Sequence, residues 1–195
     1  MAPRFRIGAI AAAFLASATM LASCASAPPE TFDLGAAPAP LAAALHAPLA
    51  IREPVASLDL DSQRIVVRTG PGVLAYLSGA QWADRLPALV QAKLLRTFQD
   101  AGQLRFIGRA GAGFAADYVM ELDIRTFELD VAKAQASIDI AVKIVAARSG
   151  RVVAAQIFTA QAPAAGTGGA AAAAALNAAL STLMGRIVVF ASAHV

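Results

Sequence analysis

Over residues 135–147 the apolar side chains fall on every second position: Ala136, Ile138, Ile140, Val142 and Ile144 alternate with Gln135, Ser137, Asp139 and Lys143. Successive strand residues point to opposite faces, so this run specifies a sheet with one dry and one wet side. The preceding stretch follows the same rule with one interruption. Tyr118, Met120, Leu122 and Ile124 alternate with Glu121, Asp123 and Arg125, and the apolar phase then slips to Phe127, Leu129 and Val131. Such a slip would turn every later side chain to the wrong face unless the strand absorbs an extra residue. A β-bulge or bend is therefore expected near Thr126. Ser149-Gly150 turns the chain into a third strand over 151–161. Three long strands with short connections predict an antiparallel meander. Beyond the glycines of 166–169, an Ala-rich helix carries Leu176, Leu180, Leu183, Ile187 and Phe190 in one stripe, fit to cover the dry face.

Upstream, residues 49–53 and 64–68 read as short strands, punctuated by Pro54 and by Gly70-Pro71-Gly72, and 73–77 as a further extended piece. Trp82, Leu86, Leu89, Val90, Leu94 and Phe98 recur at three- and four-residue spacing, which predicts an amphipathic helix. Asp84 is placed to cap it, Pro87 is tolerated in its first turn and Gly102 closes it. A strand over 104–107 and a Gly-rich loop over 108–113 follow. The fold class expected is α+β, an antiparallel meander sheet with amphipathic helices packed on one face.

The amino terminus obeys different rules. Arg4 and Arg6 precede an uncharged run over 7–23 rich in Ala, Leu, Ile and Phe, the pattern of a secretory signal peptide. It is too short and too diluted with Ser and Thr for a permanent span, which takes roughly 20 apolar residues. The sole cysteine, Cys24, follows immediately, and Leu21-Ala22-Ser23-Cys24 resembles the lipobox of bacterial lipoproteins. That resemblance implies cleavage before Cys24, a diacylglyceryl group on its sulfur and an acyl chain on its new amine. Several chains anchor a protein firmly where one does not. The competing cleavage site, Ala25-Ser26-Ala27, would leave Pro28 directly after the cut, an unfavourable substrate. The expected organisation is a lipoprotein signal peptide over 1–23, a lipidated Cys and Pro/Ala-rich linker over 24–48, and a single domain over 49–195. Within the linker, residues 31–34 fit an edge strand or a spacer equally well.

Charge and motif content exclude several functions. Loss of the signal peptide lowers the basic count from 16 to 14 against 13 acidic residues, and no cluster of Lys and Arg is interleaved with aromatics, so nucleic acid is not an expected partner. Asp117, Glu121, Asp123, Glu128 and Asp130 are carboxylates that a metal could use. Alternation on a wet sheet face, with Arg125 and Lys143 as neighbours, accounts for the first three more simply, and no metal is expected. His46 and His194 lie outside the patterned core, so a His-dependent nucleophile has no anchor. The glycines of 108–113 lack the strand-to-helix context of a dinucleotide fingerprint, and those of 166–169 lack the Lys-Ser/Thr of a phosphate loop. No enzyme is expected, and no cofactor beyond the covalent lipid on Cys24.

The lipobox, Phe32-Asp33-Leu34, Arg64-Ile65-Val66-Val67-Arg68, Leu74-Ala75-Tyr76, Trp82-Ala83-Asp84-Arg85-Leu86 and Phe127-Glu128 occur in an order that resembles the ABC-type transport auxiliary lipoprotein family, of the PqiC type. The resemblance implies a non-enzymatic periplasmic accessory of an MCE-type intermembrane lipid transport system, with an MCE-domain protein as partner. A structural or assembly lipoprotein of the outer membrane, with no transporter attached, is the alternative. Tyr76 and Trp82 are the candidate contact residues, since aromatics are enriched at interfaces. Trp82 is also in phase with Leu86, Leu89 and Val90, which points to the core instead. Homo-oligomerisation stays open. Ala25 rather than Asp after the lipidated Cys implies the outer membrane in preference to the inner one, by the sorting rule of enteric-type bacteria.

Overall fold

A computed structural model describes residues 27–35, 37–38 and 41–195. The signal peptide and Cys24 lie outside the described residues. In chain order the elements are β1 (Glu30–Phe32), β2 (Leu49–Ile51), β3 (Val55–Ala56), β4 (Arg64–Gly70), β5 (Val73–Trp82), α1 (Leu86–Phe98), a π-helical turn (Gln99–Gln103), β6 (Ile107–Arg109), β7 (Tyr118–Asp130), β8 (Gln135–Ala146), β9 (Val152–Pro163) and α2 (Gly169–Ser192).

The longest strand, β7, is the spine of one sheet. Along one edge it runs antiparallel to β8, from Tyr118 opposite Ala146 to Asp130 opposite Gln135, and β8 runs antiparallel to β9. These three strands are the meander that alternation predicts. The register passes from Ile124↔Ile140 to Thr126↔Asp139, so Arg125 is the extra residue of a bulge. The bulge keeps Met120, Leu122 and Ile124 before it, and Phe127 and Leu129 after it, in one core.

The other edge of β7 corrects the expectation of a purely antiparallel meander. It pairs in parallel, successively, with β2 at Tyr118–Met120, β3 at Asp123–Ile124 and β4 at Glu128–Asp130. β6 extends the sheet in parallel beyond β2, β5 pairs antiparallel with β4, and β1 pairs parallel with β5. The sheet is mixed. A period of two reports which face a side chain occupies and carries no information about the direction of the neighbouring strand.

α2 lies across the dry face, burying Leu176, Leu180, Leu183, Met184, Ile187 and Val188. Its alanines let it approach closely. A Cβ at Gly169 would stand 2.8 Å from that of Ala80 and 3.0 Å from the ring of Phe32. By length and composition α2 could cross a membrane, yet half of its most apolar stretch is buried within the protein. It serves here as the core helix of the domain.

α1 covers the neighbouring part of the sheet. Pro87 sits in its first turn as expected, but Arg85 rather than Asp84 occupies the N-cap and no side chain caps the helix. The Asp84 carboxylate instead accepts a hydrogen bond from the Arg85 backbone N–H at 2.7 Å. Gly102 ends the helical path with φ +83°, a left-handed conformation that favours glycine. The strand expected over 104–107 is displaced to β6, leaving Leu104 exposed in a turn.

The Pro/Ala-rich stretch does not stand clear of the domain. Beyond β1, Leu34, Ala37 and Leu45 are buried. The Leu45 N–H donates to Gln103 Oε1 at 2.9 Å, and the His46 N–H to the Val195 carbonyl at 3.2 Å. The fragment over 31–34 thus begins within an edge strand, and the chain is tied to the domain at β1, Leu34, Ala37, Leu45 and His46.

Candidate functional site

The β4–β5 hairpin turns at Gly70-Pro71-Gly72, where Gly72 adopts φ +70°. β4 is covered on both edges, by β5 and β7. β5 is not: β1 pairs only with Ala80, Gln81 and Trp82, so among the described residues the outer edge of 73–79 has no strand beside it. This half of β5 exposes Val73, Leu74 and Tyr76. The Arg64 guanidinium lies 4.3 Å from the centroid of the Tyr76 ring, in cation–π contact. Next to it Arg68 grips Glu128 through Nε at 2.5 Å and Nη2 at 2.9 Å. Glu128 is nearly buried, and its carboxylate holds the Arg68 guanidinium above its ordinary pKa, through the hydrogen bond first and charge second. Apolar side chains, one amphipathic aromatic ring and a fixed ion pair constitute a surface suited to contact.

The two aromatic candidates separate. Tyr76 is 43% exposed, whereas Trp82 is 1% exposed and meets Phe127 edge-on at 6.0 Å between centroids. Trp82 is the last residue of β5 and a core anchor, which takes it out of the contact surface. Cys24, the expected lipidation site, lies outside the described residues.

A cleft of about 570 Å³ opens between α1 and the segment after β1, lined by Asp33, Leu34, Lys93, Arg96 and Arg109 among others. Lys93 is buried and donates to Asn177 and, at 3.1 Å, to Ser181 of α2. Burial pushes its ammonium group down to about 8, against the opposing pull of Asp33. The sequence carried a signal for this residue. Lys93 stands three residues after Val90 and four after Leu89, in phase with the apolar stripe of α1, where a charge has to be satisfied internally.

Three of the other candidate carboxylates, Glu121, Asp123 and Asp130, form ion pairs. Glu121 bonds Arg52, Asp123 lies 3.6 Å from Arg125, and Asp130 lies 3.1 Å from Lys133. Lys143 stands opposite Glu121 in register, although Arg52 holds the ion pair. Among the described residues no group of three or more His, Cys, Asp and Glu is placed to hold a metal ion. His46 and His194 are both exposed. Gly108 lies in β6 with the Phe114 ring packed where its Cβ would be, a structural use of that glycine.

Residues 32–188 match the model of a family described as ABC-type transport auxiliary lipoprotein component. An uncharacterized protein of Bradyrhizobium diazoefficiens is 34% identical over 122 residues, which is 60% of this chain and 32% of that one. The chain thus spans about a third of the length of the curated relative it matches. Among solved structures, a Xanthomonas campestris protein of the DUF330 family is 28% identical, with a TM-score of 0.77 over 85% of this chain and 96% of that one. A second crystal structure, of an uncharacterized protein at 12% identity, has a TM-score of 0.66 over 83% of this chain and 97% of that one, and is similar in fold.

Proposed function

The chain belongs to the ABC-type transport auxiliary lipoprotein family, and we propose from that membership that it is a non-enzymatic accessory of an MCE-type intermembrane lipid transport system. The observation that carries this reading is the family match from β1 into α2, which takes in nearly every element of the fold. A family described as auxiliary to transport is consistent with a surface built for contact. Anchoring is through diacylglyceryl and acyl groups on Cys24, which follows Leu21-Ala22-Ser23 directly. The anchor sits in the periplasmic face of the outer membrane, in keeping with Ala25 after the lipidated residue. The domain works by meeting an MCE-domain protein.

The test is photo-crosslinking from exposed positions on separate faces, Tyr76, Leu58 and Ile157, in the native membrane. Capture of an MCE-domain protein supports the transport reading. Capture of outer-membrane components alone would replace it with an assembly role.

A further inference from the structure

We infer that the tip of the β4–β5 hairpin, with Val73 and Leu74 foremost, rests on the lipid surface that holds the anchor. The inference depends on the acylation of Cys24 proposed above. It rests on the strand register together with the length of chain that precedes β1.

β1 is parallel to β5, with Glu30 opposite Ala80. The chain therefore enters β1 from the side on which β5 begins, which is the hairpin tip. Cys24 precedes Glu30 by six residues. At roughly 3.3–3.6 Å per residue, the lipidated sulfur cannot be more than about 20 Å from β1 along the chain, whatever path those residues take. Along β5 the six residues back from Ala80 reach Leu74, also about 20 Å at the rise of a strand. Pro28 and Pro29 favour an extended approach because their φ is fixed near −65°. Fully extended along β5, a tether of this length reaches no further than the tip, and any shorter path holds the domain closer to the bilayer. It leaves no room for a domain held well away from the bilayer.

The chemistry of the tip suits a bilayer surface. Gly70-Pro71-Gly72-Val73-Leu74 contains no charge, and Val73 and Leu74 are about half exposed. The β7–β8 turn lies beside it, through a Val131 N–H donated to the Arg68 carbonyl. The start of the β9–α2 connection follows, through an Ala164 N–H donated to the Ala134 carbonyl. The charges close to this end are already neutralised as Arg68–Glu128 and Asp130–Lys133. Tyr76 stands about 7 Å further along the strand from Leu74, the level at which an amphipathic ring meets the headgroups. The far end of the same strands differs. There Arg85 bridges Glu53 and Asp61, and Arg148 and Arg151 flank the β8–β9 turn. A charged, hydrated end facing the periplasm and an uncharged apolar tip facing the anchor define one orientation.

The test uses the mature, acylated full chain with Leu74→Cys or Leu58→Cys, in vesicles of phosphatidylethanolamine and phosphatidylglycerol. With the sulfur of Cys24 alkylated by the diacylglyceryl group, the introduced thiol is the single site for an environment-sensitive fluorophore. The label at position 74 is expected to shift to the blue on reconstitution and to lose most of its emission to lipid spin-labelled near the headgroup. The label at 58, on an exposed turn next to the charged end, should do neither. Equal quenching at the two positions overturns the inference. A blue shift at 74 that grows with protein density, without quenching by lipid, assigns the tip to a second copy and also overturns it. Mass spectrometry separates the two readings: an unacylated chain removes the anchor and this inference with it. An acylated chain with an unquenched label at 74 removes the inference alone.

Discussion

β8 and β5 are strands of similar length, 12 and 10 residues, with opposite fates. β8 is paired along both edges, and every second side chain from Ala136 to Ile144 is buried in the core that α2 covers. β5 is buried only toward its end, at Ala80 and Trp82, where β1 covers its edge. Its first seven residues have no strand on their outer edge among the described residues, and three of their large apolar side chains are exposed. The contrast teaches that one strand can serve both stability and contact when its neighbours cover only part of it. An open edge is also a hazard for unwanted pairing, so it is expected to be in use.

The strongest way to break this comparison is to cut the core on the covered side. Phe127→Ala empties the site beneath Trp82 and is expected to cost about 3–5 kcal/mol in denaturant unfolding. Tyr76→Ala should change stability by less than about 1 kcal/mol, as exposed positions do. Equal losses would mean that β5 belongs to the core as fully as β7 does. A smaller effect tests the seam between the two regions. Gly169→Ala places a methyl group against Ala80 and Phe32, and overpacking of this kind costs about 1–3 kcal/mol. Release of β1 should accompany it, read as faster amide exchange at Ala83, whose N–H donates to the Phe32 carbonyl.

Lys93 sharpens the comparison through pH. Its folded-state pKa of about 8 lies below the ordinary 10.5. Below pH 8 both states carry the proton and the burial penalty is fully present. Between about 8 and 10.5 the folded state has released the proton while the unfolded state still holds it, so stability rises with pH through that window. The gain is expected to be on the order of 1 kcal/mol, and Lys93→Met should abolish it. A stability curve that is flat from pH 8 to 10 in the wild type would contradict the buried ammonium. The smallest effect on folding belongs to Leu74→Asp, within about 0.5 kcal/mol by unfolding because the side chain is exposed. That variant should nevertheless weaken the association of the hairpin tip with vesicles.

Much of the covered region was legible from residue spacing. The alternation from Tyr118 to Ile144 and its slip at Phe127 located both the strands and the bulge, because a buried face tolerates no other register. The stripe of α2 was equally plain. Spacing misled at Trp82, whose three- and four-residue offsets from Leu86 and Leu89 imitate a helix while the residue ends a strand. Two elements that pack against one core can share a phase by coincidence. Within the contact surface, Tyr76 could be named as a candidate from its residue type, but its exposure depends on where β1 stops.

The sequence by itself determined the local elements, the inward side of each, and the family to which the chain belongs, since all of these are carried by residue type and short-range period. Tertiary structure alone decided the direction in which β2, β3 and β4 meet β7, and the burial of Lys93 between two helices. It also tied β1, Leu34, Ala37, Leu45 and His46 to the domain, where composition had suggested a free linker. Each of these depends on groups far apart in the chain reaching the same place. Parallel pairing leaves the same alternation as antiparallel pairing, and an Ala/Pro-rich segment gains its fixed position only from the edge of β5 and the pocket that receives Leu45.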